Sequence, residues 1–345
     1  MTQNRESHVS SKINDENTHT QHSKSHTLSV VIPVYLGAET LSGLVDEIVS
    51  VFSDSESKSP SIKLIEVVLV NDCGPDNSDD VMRTLAERHG VVKNVWLARN
   101  FGQHAASLAG IASSRGEWIV TMDEDGQHDP RSIFLMMSNA LRNKADLVYA
   151  KSTDAPPHGL LRNASSSFTK RTILPLLVGK SIDFFSSYRL ILGEVGRTIS
   201  AYATNDVFLD VAISWVVRRT EVEFVPFRRE GRSQSSYRPR TLARHFLRLV
   251  LTSGTRPLRI ASFFGFSFFF LGLSLAVAVV VAKVFYTFNA AGWASLVSLI
   301  LVLGGVVLLV LGIIAEYVGV LVRAAIGRPV YVITNDRQSG PLYRQ

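Results

Sequence analysis

One stretch of the sequence decides the fold: Glu117-Trp118-Ile119-Val120-Thr121-Met122-Asp123-Glu124-Asp125-Gly126-Gln127. Its apolar first half predicts a buried strand, and its acidic second half predicts the loop that follows. Asp123 and Asp125 are two positions apart, so in an extended chain their carboxylates project to the same side, about 6 to 7 Å apart. Their bare repulsion would cost about 3 kcal/mol at an effective dielectric near 20. Bound Mg²⁺ or Mn²⁺ removes that cost and leaves coordination positions for phosphate oxygens. An isolated Asp-x-Asp is more often a solvated turn, so the surrounding sequence must decide.

Strand and helix patterns alternate around this stretch. Predicted strands cover residues 28–35, 64–70, 94–97 and 147–150, and predicted helices cover 39–52, 79–89 and 105–114. This alternation predicts an α/β fold with a mostly parallel sheet, whose ligands bind at the carboxyl ends of the strands. Tyr35, Asp72, Arg99 and Asp123 all fall at such ends, which favours a nucleotide site. The sequence has no Gly-x-Gly-x-x-Gly after the first strand and no Gly-Lys-Ser or Gly-Lys-Thr. A dinucleotide oxidoreductase or a phosphate-loop ATPase is therefore disfavoured.

Two long apolar runs lie in the carboxyl-terminal third, at residues 260–282 and 293–314. Each is about the length that spans a bilayer core of roughly 30 Å, and the alternative is a pair of buried core helices. Arginines flank the outer ends of the two runs: Arg244, Arg248, Arg256, Arg259, Arg323 and Arg328. The connecting residues, 283–292, contain one cation, Lys283. The positive-inside rule therefore predicts a multi-pass protein of the inner membrane, with its large domain and both termini in the cytoplasm.

The remaining boundaries follow from composition. Residues 1–26 are almost free of apolar side chains and predict a disordered tail. We expect the α/β domain at 27–237, an amphipathic juxtamembrane helix at 238–257, the transmembrane hairpin at 258–326 and a cytoplasmic tail at 327–345. The net charge is +6, and the arginines cluster beside the apolar runs, without interleaved aromatic residues. This placement favours anionic lipid or a phosphorylated ligand over nucleic acid. The single cysteine, Cys73, fits a reducing compartment.

Several short motifs occur in a specific order. They are Val-Ile-Pro-Val-Tyr at 31–35, Val-Asn-Asp-Cys-Gly-Pro-Asp at 70–76, Arg-Asn-Phe-Gly at 99–102, Asp-Glu-Asp-Gly-Gln at 123–127 and Gly-Arg-Pro-Val-Tyr at 327–331. Together they resemble glycosyltransferase family 2, in its membrane-anchored polyprenyl-phosphate branch, which includes dolichol-phosphate mannose synthase and bactoprenol glucosyltransferases. The resemblance covers nearly all of the chain after His26. Asn71 departs from it, since the family has Asp there. The segment 228–237 also carries extra residues relative to the family pattern.

The resemblance implies a GT-A-type domain that moves one sugar from a nucleotide sugar to a polyprenyl phosphate, such as undecaprenyl phosphate, with inversion. UDP is favoured over GDP by analogy, and a tetramer would fit the branch. The implied nucleotide-sugar contacts are Pro33, Tyr35, Glu39, Asp72, Arg99 and Asp123. The implied metal ligands are Asp123, Asp125 and Gln127. Candidates for the acceptor phosphate are Arg162, Arg189, Arg229 and Arg232, because arginine suits bidentate phosphate contacts. The implied catalytic residues are Asp123, Asp125 and Arg189.

Alternatives remain open from the sequence. The acceptor could be another lipid, such as a lipid-linked oligosaccharide or a diacylglycerol. A catalytically silent nucleotide-binding scaffold would account for the membrane segments, although both metal carboxylates are retained. A lipid translocator is disfavoured by the small number of predicted spans. The identity of the sugar is not determined by these motifs.

Overall fold

A computed structural model describes residues 25–53, 60–153, 185–203, 209–228, isolated positions between 263 and 285, 292–336 and 338. The strands are β1 (His26–Val34), β2 (Ile62–Asn71), β3 (Val92–Leu97), β4 (Trp118–Thr121), β5 (Leu147–Ser152), β6 (Arg189–Leu192), β7 (Thr220–Val225) and β8 (Ile333–Thr334). The helices are α1 (Leu41–Phe52), α2 (Ser78–Arg88), α3 (Gln103–Ser113), α4 (Ser132–Asn143), α5 (Gly193–Tyr202), α6 (Leu209–Val216) and α7 (Trp293–Ala325).

The described strands form one sheet in the order β7-β5-β6-β4-β1-β2-β3-β8. Its centre is parallel: β1 pairs with β2 and β4, and β2 pairs with β3. The antiparallel pairs are β4–β6, β5–β6 and β3–β8. The predicted α/β fold with a mostly parallel sheet is confirmed. Because β1, β2, β3 and β4 run in the same direction, their carboxyl ends share one edge, where Tyr35, Asp72, Arg99 and Asp123 follow them.

The sheet is buried on both faces, which explains the nearly continuous apolar strands. In β1, Val30, Ile32 and Val34 pack into one hydrophobic cluster, and Val31 packs into the other. Helices α1, α2 and α4 contribute to the first cluster, and α3, α5 and α6 contribute to the second. The alternating side chains of one strand therefore hold helices on opposite faces.

Helix α3 lies unusually close to the sheet. A Cβ added at Gly110 would stand 2.3 Å from Val31 Cγ1 and 2.9 Å from Val70 Cγ2. Only glycine permits this approach, because any side chain would push α3 away from β1 and β2. The close packing fixes the start of α3, at Gln103, beside the carboxyl edge of the sheet.

Among the described residues, one helix is long and apolar enough to cross a membrane. It is α7, in which Val302–Val322 has a mean hydropathy of 2.5. None of this segment is buried against the rest of the described protein. The helix runs past the predicted end at 314 and reaches Ala325, and Gly327 then takes a φ of 67°, a common way to leave a helix. The first predicted span, 260–282, is described only at isolated positions. The predicted amphipathic helix at 238–257 lies outside the described residues.

Candidate functional site at the carboxyl edge of the sheet

Asp123 is the meeting point of three segments. Its side chain is 27% exposed. Gln103 Nε2, at the start of α3, donates to Asp123 Oδ1 over 2.5 Å. Ser187 Oγ, in the loop before β6, donates to Asp123 Oδ2 over 2.6 Å. Both partners are neutral, so they orient the carboxylate without cancelling its charge.

His128 stabilises the acidic loop through a hydrogen bond to its backbone. The backbone N–H of Asp123 donates to His128 Nδ1 over 3.1 Å, which makes Nδ1 an acceptor and leaves the ring proton on Nε2. The imidazole is buried and stacks on Tyr188 at 4.6 Å between ring centroids. Burial lowers its pKa, so the ring is neutral near pH 7. Its packing fixes the direction in which Asp123 leaves β4.

The other two acids of the loop have different partners. Asp125 Oδ1 accepts from the backbone N–H of Gln127 over 3.1 Å, and Gly126 between them has a φ of 74°. Glu124 faces the opposite side, where its two carboxylate oxygens accept from the backbone N–H groups of Tyr35 and Leu36, each over 2.9 Å. Glu124 therefore joins the acidic loop to the loop after β1, whereas Asp123 and Asp125 stay half-buried at the surface.

The carboxylates of Asp123 and Asp125 are the candidate metal ligands of this loop. Within the described part of the chain, no group of three or more His, Cys, Asp or Glu side chains could hold a metal. No Lys or Arg of the described residues forms an ion pair with Asp123 or Asp125. Two carboxylates without a cationic partner suit a hard divalent ion whose other ligands come from water or a diphosphate. The pair therefore fits Mg²⁺ or Mn²⁺ with a bound substrate.

Asp72 connects the loop after β2 to the loop after β3. It is 3% exposed, and its two oxygens accept from the backbone N–H groups of Phe101 (2.7 Å) and Gly102 (2.9 Å). Burial raises the pKa of Asp72 more than these two hydrogen bonds lower it. Gly102 has a φ of 92°, a conformation that favours glycine. Asp72 thus fixes the loop that carries Arg99, and its direct contact with a nucleotide stays a prediction.

The loops after β1 and β2 touch backbone to backbone. A Cβ at Gly74 would stand 1.6 Å from the carbonyl oxygen of Tyr35, so only glycine fits there. Asp76 strengthens the contact, since its Oδ2 accepts from the backbone N–H of Ala38 over 3.0 Å. Pro33 is buried within β1, where its Cα pairs with that of Val70.

The other predicted nucleotide-sugar residues lie around these loops. Tyr35, Glu39 and Arg99 are exposed. The Arg99 guanidinium carbon stands 4.3 Å from the ring centroid of Phe101. The structure thus brings Tyr35, Glu39, Asp72 and Arg99 to the edge that Asp123 occupies. Their contacts with a nucleotide sugar stay predictions.

Arg189 is buried at the start of β6, in register with Thr121 of β4 and Tyr149 of β5. It forms an ion pair with Asp210 of α6, and Tyr149 Oη donates to the same carboxylate over 2.9 Å. A buried charge needs a partner, and Asp210 is that partner for Arg189. Arg189 Nε has no hydrogen-bond partner among the described residues. Its phosphate contact stays a prediction, and Arg162, Arg229 and Arg232 lie outside the described residues.

Arg228 connects the end of β7 to the acidic loop. Its backbone N–H donates to Gln127 O over 2.9 Å. Its guanidinium donates to both oxygens of Glu47 over 2.6 and 2.7 Å, and Nη2 lies 3.0 Å from Asp129 Oδ1. The hydrogen bond from Arg228 lowers the pKa of Glu47. Gln127, a predicted metal ligand, is therefore fixed through its backbone on both sides, by Asp125 and by Arg228.

A family model for glycosyl transferase family 2 matches residues 29–196, the part of the chain that contains β1 to β6 and all of these loops. Over residues 29–196 the chain is therefore similar to glycosyl transferase family 2. The predicted resemblance to the polyprenyl-phosphate branch of this family is confirmed. Bactoprenol glucosyl transferase of Shigella phage SfV is 26% identical over 90% of this chain and 99% of its own length.

A second relative differs in the sugar that its name gives. Undecaprenyl-phosphate 4-deoxy-4-formamido-L-arabinose transferase of Edwardsiella ictaluri (strain 93-146) is 28% identical over 89% of this chain and 93% of its own length. Among solved structures, mannosyl-3-phosphoglycerate synthase from Rubrobacter xylanophilus matches 68% of this chain and 74% of that chain. Its TM-score is 0.45 at 15% identity.

The sequence analysis did not identify several residues of this candidate site. Gln103 directly follows the Arg-Asn-Phe-Gly motif, and Ser187 lies two positions before Arg189, so both were adjacent to recognised signals. His128 follows the acidic motif directly. Glu124 was quoted as part of the motif, but sequence gives no sign that it faces away from Asp123. Asp210 had no local signal, because it reaches Arg189 only through tertiary packing.

Proposed function

We propose that this chain is a membrane-anchored, inverting glycosyltransferase. It would move one sugar from a nucleotide sugar, with a UDP-sugar favoured, to a polyprenyl phosphate, with undecaprenyl phosphate favoured. The product would be a polyprenyl-monophosphate sugar for modification of a cell-envelope glycan or glycolipid. The observation that carries this proposal is the pair Asp123 and Asp125 at the carboxyl end of β4, which no Lys or Arg of the described residues neutralises. Both lie within the residues that match the family 2 model. The names of the two relatives support the lipid acceptor.

The proposed donor site begins at the acidic loop. Asp123 and Asp125 would hold Mg²⁺ or Mn²⁺, with Gln127 as a third candidate ligand. When bound, the ion would neutralise charge that develops on the departing nucleoside diphosphate. Gln103 and Ser187 keep the Asp123 carboxylate oriented for this task. Exposed Tyr35, Glu39 and Arg99 on the neighbouring loops would contact the nucleotide sugar.

The acceptor needs little help to become a nucleophile. A phosphate monoester has its second pKa near 6, so the acceptor is mostly a dianion at neutral pH. No strong general base is required, and positioning with electrostatic stabilisation supplies most of the rate. In-line attack on the anomeric carbon inverts its configuration. Arg162, Arg189, Arg229 and Arg232 are the candidates for positioning the acceptor phosphate.

Membrane attachment is proposed from α7. A lipid acceptor keeps its phosphate at the bilayer surface, so an enzyme that uses it benefits from an anchor. The exposed apolar surface of Val302–Val322 supports such an anchor. A second span at 260–282, cytoplasmic termini at the inner membrane, the domain boundaries at 237, 257 and 326, and a tetramer belong to the same proposal.

The test of the proposal uses the purified full chain with undecaprenyl phosphate and a panel of UDP- and GDP-sugars. Mass spectrometry of the extracted lipid should detect a polyprenyl-monophosphate sugar in one reaction. That product is labile to mild acid, which separates it from a diacylglycerol glycoside. Absence of any glycolipid across the panel would overturn the proposal.

The metal site is tested with Asp125→Asn, a radiolabelled donor and a short-chain polyprenyl phosphate. Turnover should fall at least about a hundredfold, because the metal supplies several kcal/mol of charge stabilisation in the transition state. Near-normal turnover would remove the proposed metal role. Orientation is tested separately with a reporter fused after Gln345, and a periplasmic signal would overturn the proposed topology.

A further inference from the structure

The chain returns to the sheet after α7. Residues 330–336, called the strap below, run along β3. Thr334 pairs with Trp96 and Ile333 pairs with Leu97 in antiparallel register, and the backbone N–H of Ala98 donates to Val332 O over 2.9 Å. Val330 and Tyr331 pack against the hydrophobic cluster under α3. The sequence indicated only a cytoplasmic tail here, so this strand was not expected.

A bidentate ion pair fastens the far end of the strap. Arg83 of α2 donates from Nε to Asp336 Oδ2 over 2.7 Å and from Nη2 to Oδ1 over 2.9 Å. The two side chains are 19% and 17% exposed, so water screens this pair less than a surface pair. The hydrogen bond from Arg83 lowers the pKa of Asp336. Asp80 also pairs with Arg83, over 2.6 Å, but it is 66% exposed.

A cavity of about 130 Å³ lies between the strap and the loop after β2. The strap lines it with Thr334 and Asp336, β3 lines it with Trp96, and the loop after β2 lines it with Asn71, Cys73 and Gly74. These loop residues flank Asp72, and Gly74 touches the backbone of Tyr35. The cavity therefore borders the loop after β2, at the point where this loop meets the loop after β1.

The charges on the cavity wall restrict its ligand. Asp76, Asp79 and Asp336 line it, and Arg83 is the one cation that lines it among the described residues. An excess of carboxylates repels a phosphate but accepts hydrogen bonds from hydroxyl and N–H groups. Trp96 adds an apolar wall. This combination suits the uncharged part of a nucleotide, its ribose and base, and leaves the diphosphate to the acidic loop after β4.

We propose that the strap forms one wall of the subsite for the nucleoside end of the donor. Thr334 is then a specificity-determining residue, and Asp336 is a positioning residue that acts through Arg83. The segment that leaves the membrane helix would thus complete the donor site. This inference rests on the proposed function, since it assumes a nucleotide-sugar donor.

Two variants test the inference in the full chain, in detergent, with UDP and GDP as probes in the presence of Mg²⁺. Asp336→Asn should raise the dissociation constant of the bound nucleotide and the KM for donor by about tenfold, equivalent to the loss of one charge-assisted hydrogen bond. Thr334→Val keeps the strand pairing and should raise both constants about threefold, through loss of the hydroxyl. The kcat and the KM for the lipid acceptor should stay within about twofold, because the reacting atoms lie elsewhere.

Asp80→Asn is the matched control, because it removes a carboxylate partner of Arg83 that does not line the cavity. Its nucleotide affinity should equal that of the unmodified protein. Amide hydrogen exchange at Ala98 should speed up in Asp336→Asn and stay unchanged in Thr334→Val and Asp80→Asn. This readout separates an opened strap from a lost contact on the cavity wall.

The outcomes distinguish the two proposals. Equal nucleotide affinity in Asp336→Asn, Thr334→Val and Asp80→Asn, with glycolipid still formed, overturns the strap inference alone. Nucleotide binding without glycolipid overturns the proposed function, and the variant affinities then decide the strap inference. If the unmodified protein binds neither UDP nor GDP, both proposals are wrong.

Discussion

The loops after β2 and β4 each present a carboxylate at the same edge of the sheet, but they hold it in opposite ways. Asp72, after β2, is 3% exposed and accepts from the backbone N–H groups of Phe101 and Gly102. Asp123, after β4, is 27% exposed and accepts from the side chains of Gln103 and Ser187. Equivalent positions in the topology therefore have different surroundings.

This difference indicates different tasks. A backbone N–H cannot turn away from Asp72 unless the whole loop moves, so Asp72 fixes the shape of the loop. The amide of Gln103 and the hydroxyl of Ser187 can rotate while the backbone stays in place. We therefore expect Asp123 to take part in the chemistry and Asp72 to contribute mainly to stability.

The largest expected effect is on turnover in Asp123→Asn. Loss of one of two carboxylates from the proposed metal pair should lower kcat by about 10² to 10³, since the ion supplies several kcal/mol in the transition state. The thermal unfolding midpoint should change little, because no backbone N–H of the described residues donates to this carboxylate. Asp80→Asn serves as a control for the loss of an exposed charge. A kcat within threefold of the unmodified protein would contradict the contrast between the two loops.

Asp72→Asn should act on folding first. The amide can accept from only one of the two N–H groups and turns a donor toward the other. We expect unfolding free energy to fall by about 2 to 3 kcal/mol, from one lost charged hydrogen bond and one buried unsatisfied donor. The measurement is the denaturation midpoint of the full chain in detergent. An unchanged midpoint with abolished turnover would instead make Asp72 a ligand-binding residue.

Ser187→Ala tests the orientation of Asp123. Removing one hydrogen bond to a charged group should lower kcat by about tenfold, with no change in donor affinity. Ser186→Ala is the neighbouring control, because Ser186 Oγ accepts from the backbone N–H of Tyr188 and does not reach Asp123. Equal kinetics in the two variants would show that the hydroxyl of Ser187 does not orient the carboxylate.

The smallest expected effect concerns the pH dependence of folding stability, to which Asp72 and Asp76 of the loop after β2 should contribute with opposite signs. Burial raises the pKa of Asp72 above its ordinary 3.8, so its contribution to stability is full below that value and is lost as pH rises through the folded-state pKa. Burial also acts on Asp76, but hydrogen bonds from Ser78 and Ala38 outweigh it and lower the pKa below 3.8. Its contribution is present above 3.8 and is lost as pH falls through the folded-state pKa.

Thermal unfolding midpoints between about pH 3 and pH 7 measure both slopes. Asp72→Asn should remove a decline in stability with rising pH above about pH 4, and Asp76→Asn should remove a gain with rising pH below about pH 4. Parallel curves for the two variants would show that the two carboxylates do not differ in this way.

The parts of this molecule that could be predicted from its sequence are those with a local signal. Period and composition identified β1 to β5, α1 to α3 and the apolar run of α7, since each depends on neighbours in sequence. Helix α4 was not predicted. The positions of Asp123 and Asp125 at a strand end followed from the same signal. The direction of Glu124 did not, because strand alternation ends where the loop begins.

Long-range partners were beyond this reach. Asp210 meets Arg189, and Asp336 meets Arg83, only after the sheet and its helices have formed. Strand β8 has two residues, too few for any periodicity to be seen. The sequence showed that Asn71 replaces the Asp of the family pattern, but it did not show the role of Asn71. In the structure its side-chain oxygen accepts from the backbone N–H of Cys73 over 2.8 Å, which shapes the turn.

The return of the chain from α7 to β8 limits how far the sheet can be from the helix. Seven residues separate Ala325 from Ile333, so the two ends lie at most about 29 Å apart even when this connection is fully extended. With α7 in the bilayer, as proposed, this short connection holds β8, the strand at the edge of the sheet, near the water–lipid boundary. Such a short connection suits a substrate whose lipid tail stays in the membrane, because it keeps the sheet close to the membrane surface, where the headgroup lies.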